Sequence, residues 1–190
     1  MKKKIIAFFI GSSILMTGCS AEDRLNQLAE STSSPTVTVA VPTATPGPVV
    51  KKLSLKEKGT IGDWEVTVKK VMAKRKITNG KYRYFQAKKG KTYAVYTLTV
   101  KNNGKKEEKF LPFIGVIGQI VQAKVVDQNK KEYKPTQLMG YDKDIVAQII
   151  KPGSKKTGIV AFEIPQKVGK KVKQLTLTFE KDKDKLVVMD

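Results

Sequence analysis

Among the residues able to do chemistry, Cys19 stands alone: it is the single cysteine, and the chain contains no histidine. It closes the run Leu15-Met16-Thr17-Gly18-Cys19, behind Lys2-Lys3-Lys4 and an apolar stretch over residues 5–16. A basic start, a short apolar middle and small residues at the cut are the parts of a secretory signal peptide. The apolar run is well short of the roughly 20 residues a helix needs to cross a bilayer. A cysteine directly after the small residues fits a bacterial lipobox, with Met16 at the place where Leu is preferred. On this reading residues 1–18 are a lipoprotein signal peptide. Cys19 is then the first mature residue, acylated and held on the outer face of the cell membrane, because each buried CH₂ contributes about 0.8 kcal/mol. The alternative is a plain secreted protein with a free thiol, a liability in an oxidising compartment.

The other chemistries are thinly supplied. Without histidine there is no imidazole base and no imidazole metal ligand. No Gly-rich phosphate loop precedes a helix. Asp142 and Asp144 stand two apart around Lys143 and lack a third ligand, which reads as a loop rather than a calcium site. A hydrolase built from distant carboxylates is the remaining catalytic alternative. The expectation is a protein without catalytic residues, metal or cofactor.

The charge is the second strong signal. Of 37 basic and 17 acidic residues, only Lys2, Lys3, Lys4, Arg24, Glu22, Asp23 and Glu30 precede residue 51. Residues 51–190 therefore hold 33 basic and 14 acidic side chains, a net +19. Such a balance speaks to partners and solubility rather than fold. Outside a membrane the polyanions on offer are anionic lipid headgroups, wall polymers and nucleic acid; a solvated lysine-rich surface is the plain alternative.

The basic residues concentrate. Between residues 66 and 106 there is no acid and there are 13 lysines or arginines. Lys74, Arg75 and Lys76 lie on one side of Asn79-Gly80, a hairpin turn signal. Lys81, Tyr82, Arg83 and Tyr84 lie on the other, followed by Lys88, Lys89 and Lys91. Cations interleaved with tyrosines can contact phosphates and stack on bases or sugars, or rest at a headgroup layer. These ten residues are the candidate polyanion-binding site. Tyrosines packed against the domain in a solvated loop would be the bland outcome.

Three segments organise the chain. Residues 19–50 lead from the anchor into a stretch with Pro35, Pro42, Pro46 and Pro48 and no charge after Glu30. That composition reads as an extended tether, and the whole of residues 19–50 could reach up to about 90 Å at roughly 3 Å per residue. Residues 37–41 alternate like a strand, but the flanking prolines demote them.

Residues 51–190 then follow period two. Trp64, Val66 and Val68 alternate, as do Ala94, Tyr96, Leu98 and Val100, with Val95, Thr97 and Thr99 on the opposite side. Val160, Phe162 and Ile164 follow, then Leu175, Leu177 and Phe179. Turns are expected at Asn102-Asn103-Gly104, around Gln128-Asn129-Lys130, and at Pro152-Gly153. No long helical period occurs. Seven or more short strands predict a β-sandwich, with Trp64, Val66, Val68, Tyr96, Leu98, Val100, Val125, Val160, Phe162, Leu175, Leu177 and Phe179 facing inward. The uncharged stretch 110–121 reads as a buried strand, or else as an exposed apolar loop.

Gly62-Asp63-Trp64-Glu65-Val66, the run from Tyr93 to Val100-Lys101-Asn102-Asn103-Gly104, and Val126-Asp127 with Lys130-Lys131-Glu132-Tyr133 come in a telling order. Lys151-Pro152-Gly153 and residues 158–165 complete it. The order resembles the telokin-like, immunoglobulin-like domains of bacterial lipoproteins related to a secreted mycobacterial protective antigen. The resemblance spans nearly all of residues 52–181. It implies an immunoglobulin-like β-sandwich of unknown function and lends no catalytic residues. Residues 74–90 and 110–121 depart from the pattern, and a private function would sit there. The expected role is a lipid-anchored extracytoplasmic module binding an envelope protein or an anionic wall polymer, with nucleic acid or anionic lipid as the alternative.

Overall fold

Alternating apolar residues make strands wherever a face can be buried, and here they make two sheets. The computed structural model describes residues 49–112, 120–182 and 184–190. Residues 1–48, which include the expected signal segment, Cys19 and most of the expected tether with residues 37–41, lie outside the described residues, as do residues 113–119 and 183.

In chain order the elements are β1 (Val50–Ser54), β2 (Lys58–Ile61), β3 (Trp64–Lys74), β4 (Lys76–Asn79), β5 (Arg83–Gln86), β6 (Lys91–Asn102) and β7 (Glu108–Lys109). They continue as β8 (Gln122–Val126), β9 (Glu132–Tyr133), β10 (Ile149–Ile150), β11 (Lys155–Pro165), the one-turn helix α1 (Gln166–Gly169), β12 (Thr176–Lys181) and β13 (Asp184–Met189). One sheet has the order β1-β13-β12-β8-β9 and the other β11-β6-β3-β2; β10-β7 and β4-β5 form two small pairs. Among the described strand pairs, β1 and β13 alone run parallel.

The two main sheets share one core. All twelve residues expected to face inward are buried, and all belong to a single apolar cluster. Trp64 meets Phe110 edge-on at 5.3 Å, and Phe110 meets Phe179 at 5.4 Å. Phe110, Leu111 and Val121 are buried, so both described ends of the uncharged stretch are core. Burying each such side chain is worth about 1.5–3 kcal/mol.

Alternation in β3 breaks once. A bulge between Val68 and Lys70 leaves Lys69 and Lys70 both exposed, and Val71 resumes the inward face. An extra residue shifts the phase of a period-two pattern by one, so the two lysines mark the bulge.

The turns sit where the sequence places them. Asp127 accepts hydrogen bonds from the backbone N–H groups of Asn129 (2.9 Å) and Lys131 (3.0 Å) and from the Tyr133 hydroxyl (2.9 Å), closing β8 onto β9. Asn102 is buried and donates its side-chain amide to the carbonyls of Lys106 (2.7 Å) and Ile150 (2.9 Å). The Gly153 N–H donates back to the Asn102 carbonyl at 2.7 Å. A buried amide with its donors used in this way welds two turns together.

A second, smaller apolar cluster lies on the opposite face of the β11-β6-β3 layer. Ile77, Ala87, Tyr93, Val95, Leu138 and Ala161 form it, with Phe85, Tyr141 and Ile159 packed on. The alternation assigns Val95 to the side away from the main core, which is correct. That side is nevertheless buried, because β4 and β5 fold over it.

A cationic hairpin as candidate functional site

β4 and β5 exist because Ile77 and Phe85 need cover. The two pair directly across the hairpin and face the small cluster, and Phe85 meets Tyr141 edge-on at 6.0 Å. The pairing of Asn79 with Arg83 leaves Gly80, Lys81 and Tyr82 as the loop. Gly80 has a φ of +69°, a conformation that L side chains rarely adopt.

With Ile77 and Phe85 turned inward, the alternate residues turn to solvent. Tyr82 is 83% exposed and Tyr84 55% exposed. The Lys76 ammonium lies over the Tyr84 ring at 3.9 Å, and Lys81 lies over Tyr82 at 5.4 Å. Exposed contacts of this kind contribute about 0.5–1 kcal/mol. They hold the rings beside positive charge and leave them accessible. The tyrosines therefore do not pack into the domain.

The ten candidate residues are gathered on and around this hairpin, but they are not equivalent. Lys91 is bound to Glu163 at 3.0 Å. The Lys88 backbone N–H donates to the other oxygen of Glu163 at 2.9 Å. Burial pushes the Glu163 carboxyl up, but these hydrogen bonds and the charges of Lys91 and Lys88 outweigh it and hold the group below its ordinary value. Lys91 thus anchors the loop before β6. Arg75 reaches the Gln166 side chain at 3.4 Å, and its carbonyl accepts from the Ala87 N–H. Lys74, Lys76, Lys81, Arg83, Lys88 and Lys89 form no salt bridge among the described residues.

Several acids are engaged away from the hairpin. Glu132 and Glu180 share Lys124, at 2.9 and 3.0 Å, and Glu180 also takes Lys185. Asp144 is buried and accepts from the backbone N–H groups of Leu138 and Val146. Its burial raises its pKa against the pull of those two bonds. Asp144 is therefore a structural cap, in line with the loop reading of its neighbourhood. Asp63 and Glu108, both exposed, share a groove with Lys105 and Lys106, a mixed-charge surface. Among the described residues no group of three or more potential acidic, cysteine or histidine ligands is placed to hold a metal. No described helix is long and apolar enough to cross a membrane.

Sequence reasoning missed Tyr141, which packs on Phe85 of the hairpin, and Glu163, which holds the loop that follows it. Both are far from it in the chain, and no local pattern announces either.

Fold and surface together define a β-sandwich module carrying a cationic, aromatic hairpin on one face. The chain belongs to the family described as a domain of unknown function (DUF4352), matched over residues 54–184. Among solved structures it is similar to an uncharacterised β-sandwich protein of Clostridium difficile, at 17% identity and a TM-score of 0.55, covering 78% of this chain and 98% of that one. It is also similar to MPT63, a secreted protein of Mycobacterium tuberculosis, at 14% identity and a TM-score of 0.49, covering 77% and 100%. The first likeness is one of fold. No curated protein matches the chain, and no catalytic family is indicated.

Proposed function

We propose that the chain is a lipid-anchored, extracytoplasmic, non-catalytic sandwich of the telokin-like type that binds an anionic envelope polymer through the β4–β5 hairpin. The observation that carries this reading is the hairpin itself: Tyr82 and Tyr84 exposed beneath Lys81 and Lys76, with no carboxylate paired to them among the described residues. Polymer chains bring a charge at every repeat and a flat or apolar surface between, and a cation beside a ring meets both. The lipobox at Cys19 and the uncharged tether support the location, since they hold a +19 domain close to an anionic surface. Lysine-led charge favours diffuse attraction over a fixed bidentate phosphate clamp.

A second reading has one observation in its favour. Two exposed rings on a basic hairpin are also what stacking on single-stranded nucleic acid uses.

The test is charge reversal at Lys81, Arg83, Lys88 and Lys89 together. Retention on a teichoic-acid surface at low salt should fall at least about tenfold, with smaller losses on anionic liposomes and DNA. Equal retention of variant and parent on all three surfaces rejects the hairpin. A loss greatest on DNA selects the nucleic-acid reading.

A further inference from the structure

We propose that the groove beside the hairpin is a preformed site for a phosphodiester flanked by short uncharged carbon segments. The proposal rests on the polyanion reading above and assigns the chemistry of the ligand. The groove, of about 470 Å³, runs over the outer face of the sheet between β4 and residues 141–143. That volume lies within the range of about 300–1,000 Å³ typical of small-molecule sites.

Three features recommend it. Lys74, Lys76 and Lys143 line it from two different parts of the chain, and no carboxylate lines it. Asp144 beside Lys143 is buried on backbone N–H groups, and Asp142 is exposed outside the lining. Thr97, Thr157 and Tyr141, which carry hydroxyls, line the same groove. Burial, then the charges of Asp142 and Asp144, raise the Tyr141 pKa, so its phenol stays a donor. Thr157 shares one hydrogen bond with Thr99 at 2.8 Å, and a hydroxyl has further hydrogen-bonding capacity. The floor is apolar, made by Val95, Ile77 and Ile159.

Lys143 is placed by construction rather than by chance. The Ile159 N–H donates to the Lys143 carbonyl at 2.7 Å, and the Ile145 N–H donates to the Ile159 carbonyl at 3.0 Å. A Cβ on Gly158 would come within 2.6 Å of the Lys143 carbonyl oxygen, so only glycine admits this approach. The backbone from which the third cation springs is therefore held against the sheet, and the Lys143 side chain itself is exposed.

A phosphodiester carries one negative charge per unit and two non-bridging oxygens that accept hydrogen bonds. The ammonium groups answer the charge as point charges. The hydroxyls answer the oxygens, and the floor takes the carbon segments between phosphates. A carboxylate-bearing peptide would leave that floor to polar backbone groups.

The test follows the amide resonances of the full chain during titration with glycerophosphoglycerol, a soluble diester. The expected result is shifts at Val95, Thr97, Thr157 and Ile159. Lys143→Gln and Thr157→Val should each weaken binding at least about fivefold, as expected for a lost hydrogen bond to a charged group. Lys52→Gln, on the opposite sheet, should leave binding within about 1.5-fold. Phosphatidylglycerol vesicles present the same diester on a lipid. Vesicle binding lost in Lys143→Gln places the source in the headgroup, and vesicle binding indifferent to that change places it in the wall polymer; both uphold the diester. Shifts confined to residues 81–89 overturn the groove and leave the hairpin reading standing. Equal losses in Lys143→Gln and Lys52→Gln, or polyglutamate binding the groove as well as the diester does, also overturn it.

Discussion

The side-chain amide of Asn79 donates to the carbonyl of Gly140 at 2.7 Å, tying the tip of β4 to a turn that lies 61 positions away. With Ile77 and Phe85 below and this bond at the end, the hairpin is fastened at two points. Its basic and aromatic side chains are thereby held outward on a fixed base.

Asn79→Ala should loosen that tip selectively. The expected cost is about 1 kcal/mol, seen as faster amide exchange in β4 and β5 while core amides such as Leu98 keep their protection. Uniform acceleration across the core would mean that the bond supports the whole fold rather than the hairpin.

Phe110→Ala removes the ring that bridges Trp64 and Phe179. Its burial is complete, so chemical denaturation should show a loss of about 3–5 kcal/mol. A loss below about 1 kcal/mol would place Phe110 outside the cooperative core.

Glu163→Gln tests the anchor before β6 through pH. The native carboxyl sits below its ordinary value of 4.5, so its contribution is fully present above that value and fades as pH falls through the native pKa. The stability gap between parent and variant should be on the order of 1 kcal/mol at pH 7. It should shrink as the pH drops below 4.5 and close at lower pH. A gap independent of pH would assign the effect to shape rather than charge.

Cys19→Ala should release the protein from the membrane fraction into the medium. Retention of the variant in membranes would remove the lipid anchor from the account.

Much of the fold can be read from alternation, because burial on one face writes a period of two into Val66, Val68, Leu98, Val100, Leu177 and Phe179. The phase slip at Lys69-Lys70 is also written there, as two adjacent lysines. What alternation does not carry is the identity of the cover on the other face. Val95 and Tyr93 look outward in the pattern, yet they are buried because Ile77 and Phe85 close over them. The hairpin and its charges were legible as a local cluster. The spending of Lys91 on Glu163 was not, since that partner is 72 residues away. Nor was the convergence of Lys143 on Lys74 and Lys76, which depends on the bare backbone of Gly158.

On the proposed reading, the hairpin's charge, rather than the domain's overall charge, captures the polymer. The most direct measurement is affinity of the full chain for poly(glycerol phosphate) as a function of salt, in the parent and in the variant reversed at Lys81, Arg83, Lys88 and Lys89. Counterion release makes log affinity fall with log salt by roughly 0.7–0.9 per phosphate contacted. The variant should lose about three units of that slope and at least about tenfold in affinity at low salt. An unchanged slope with unchanged affinity would contradict the account.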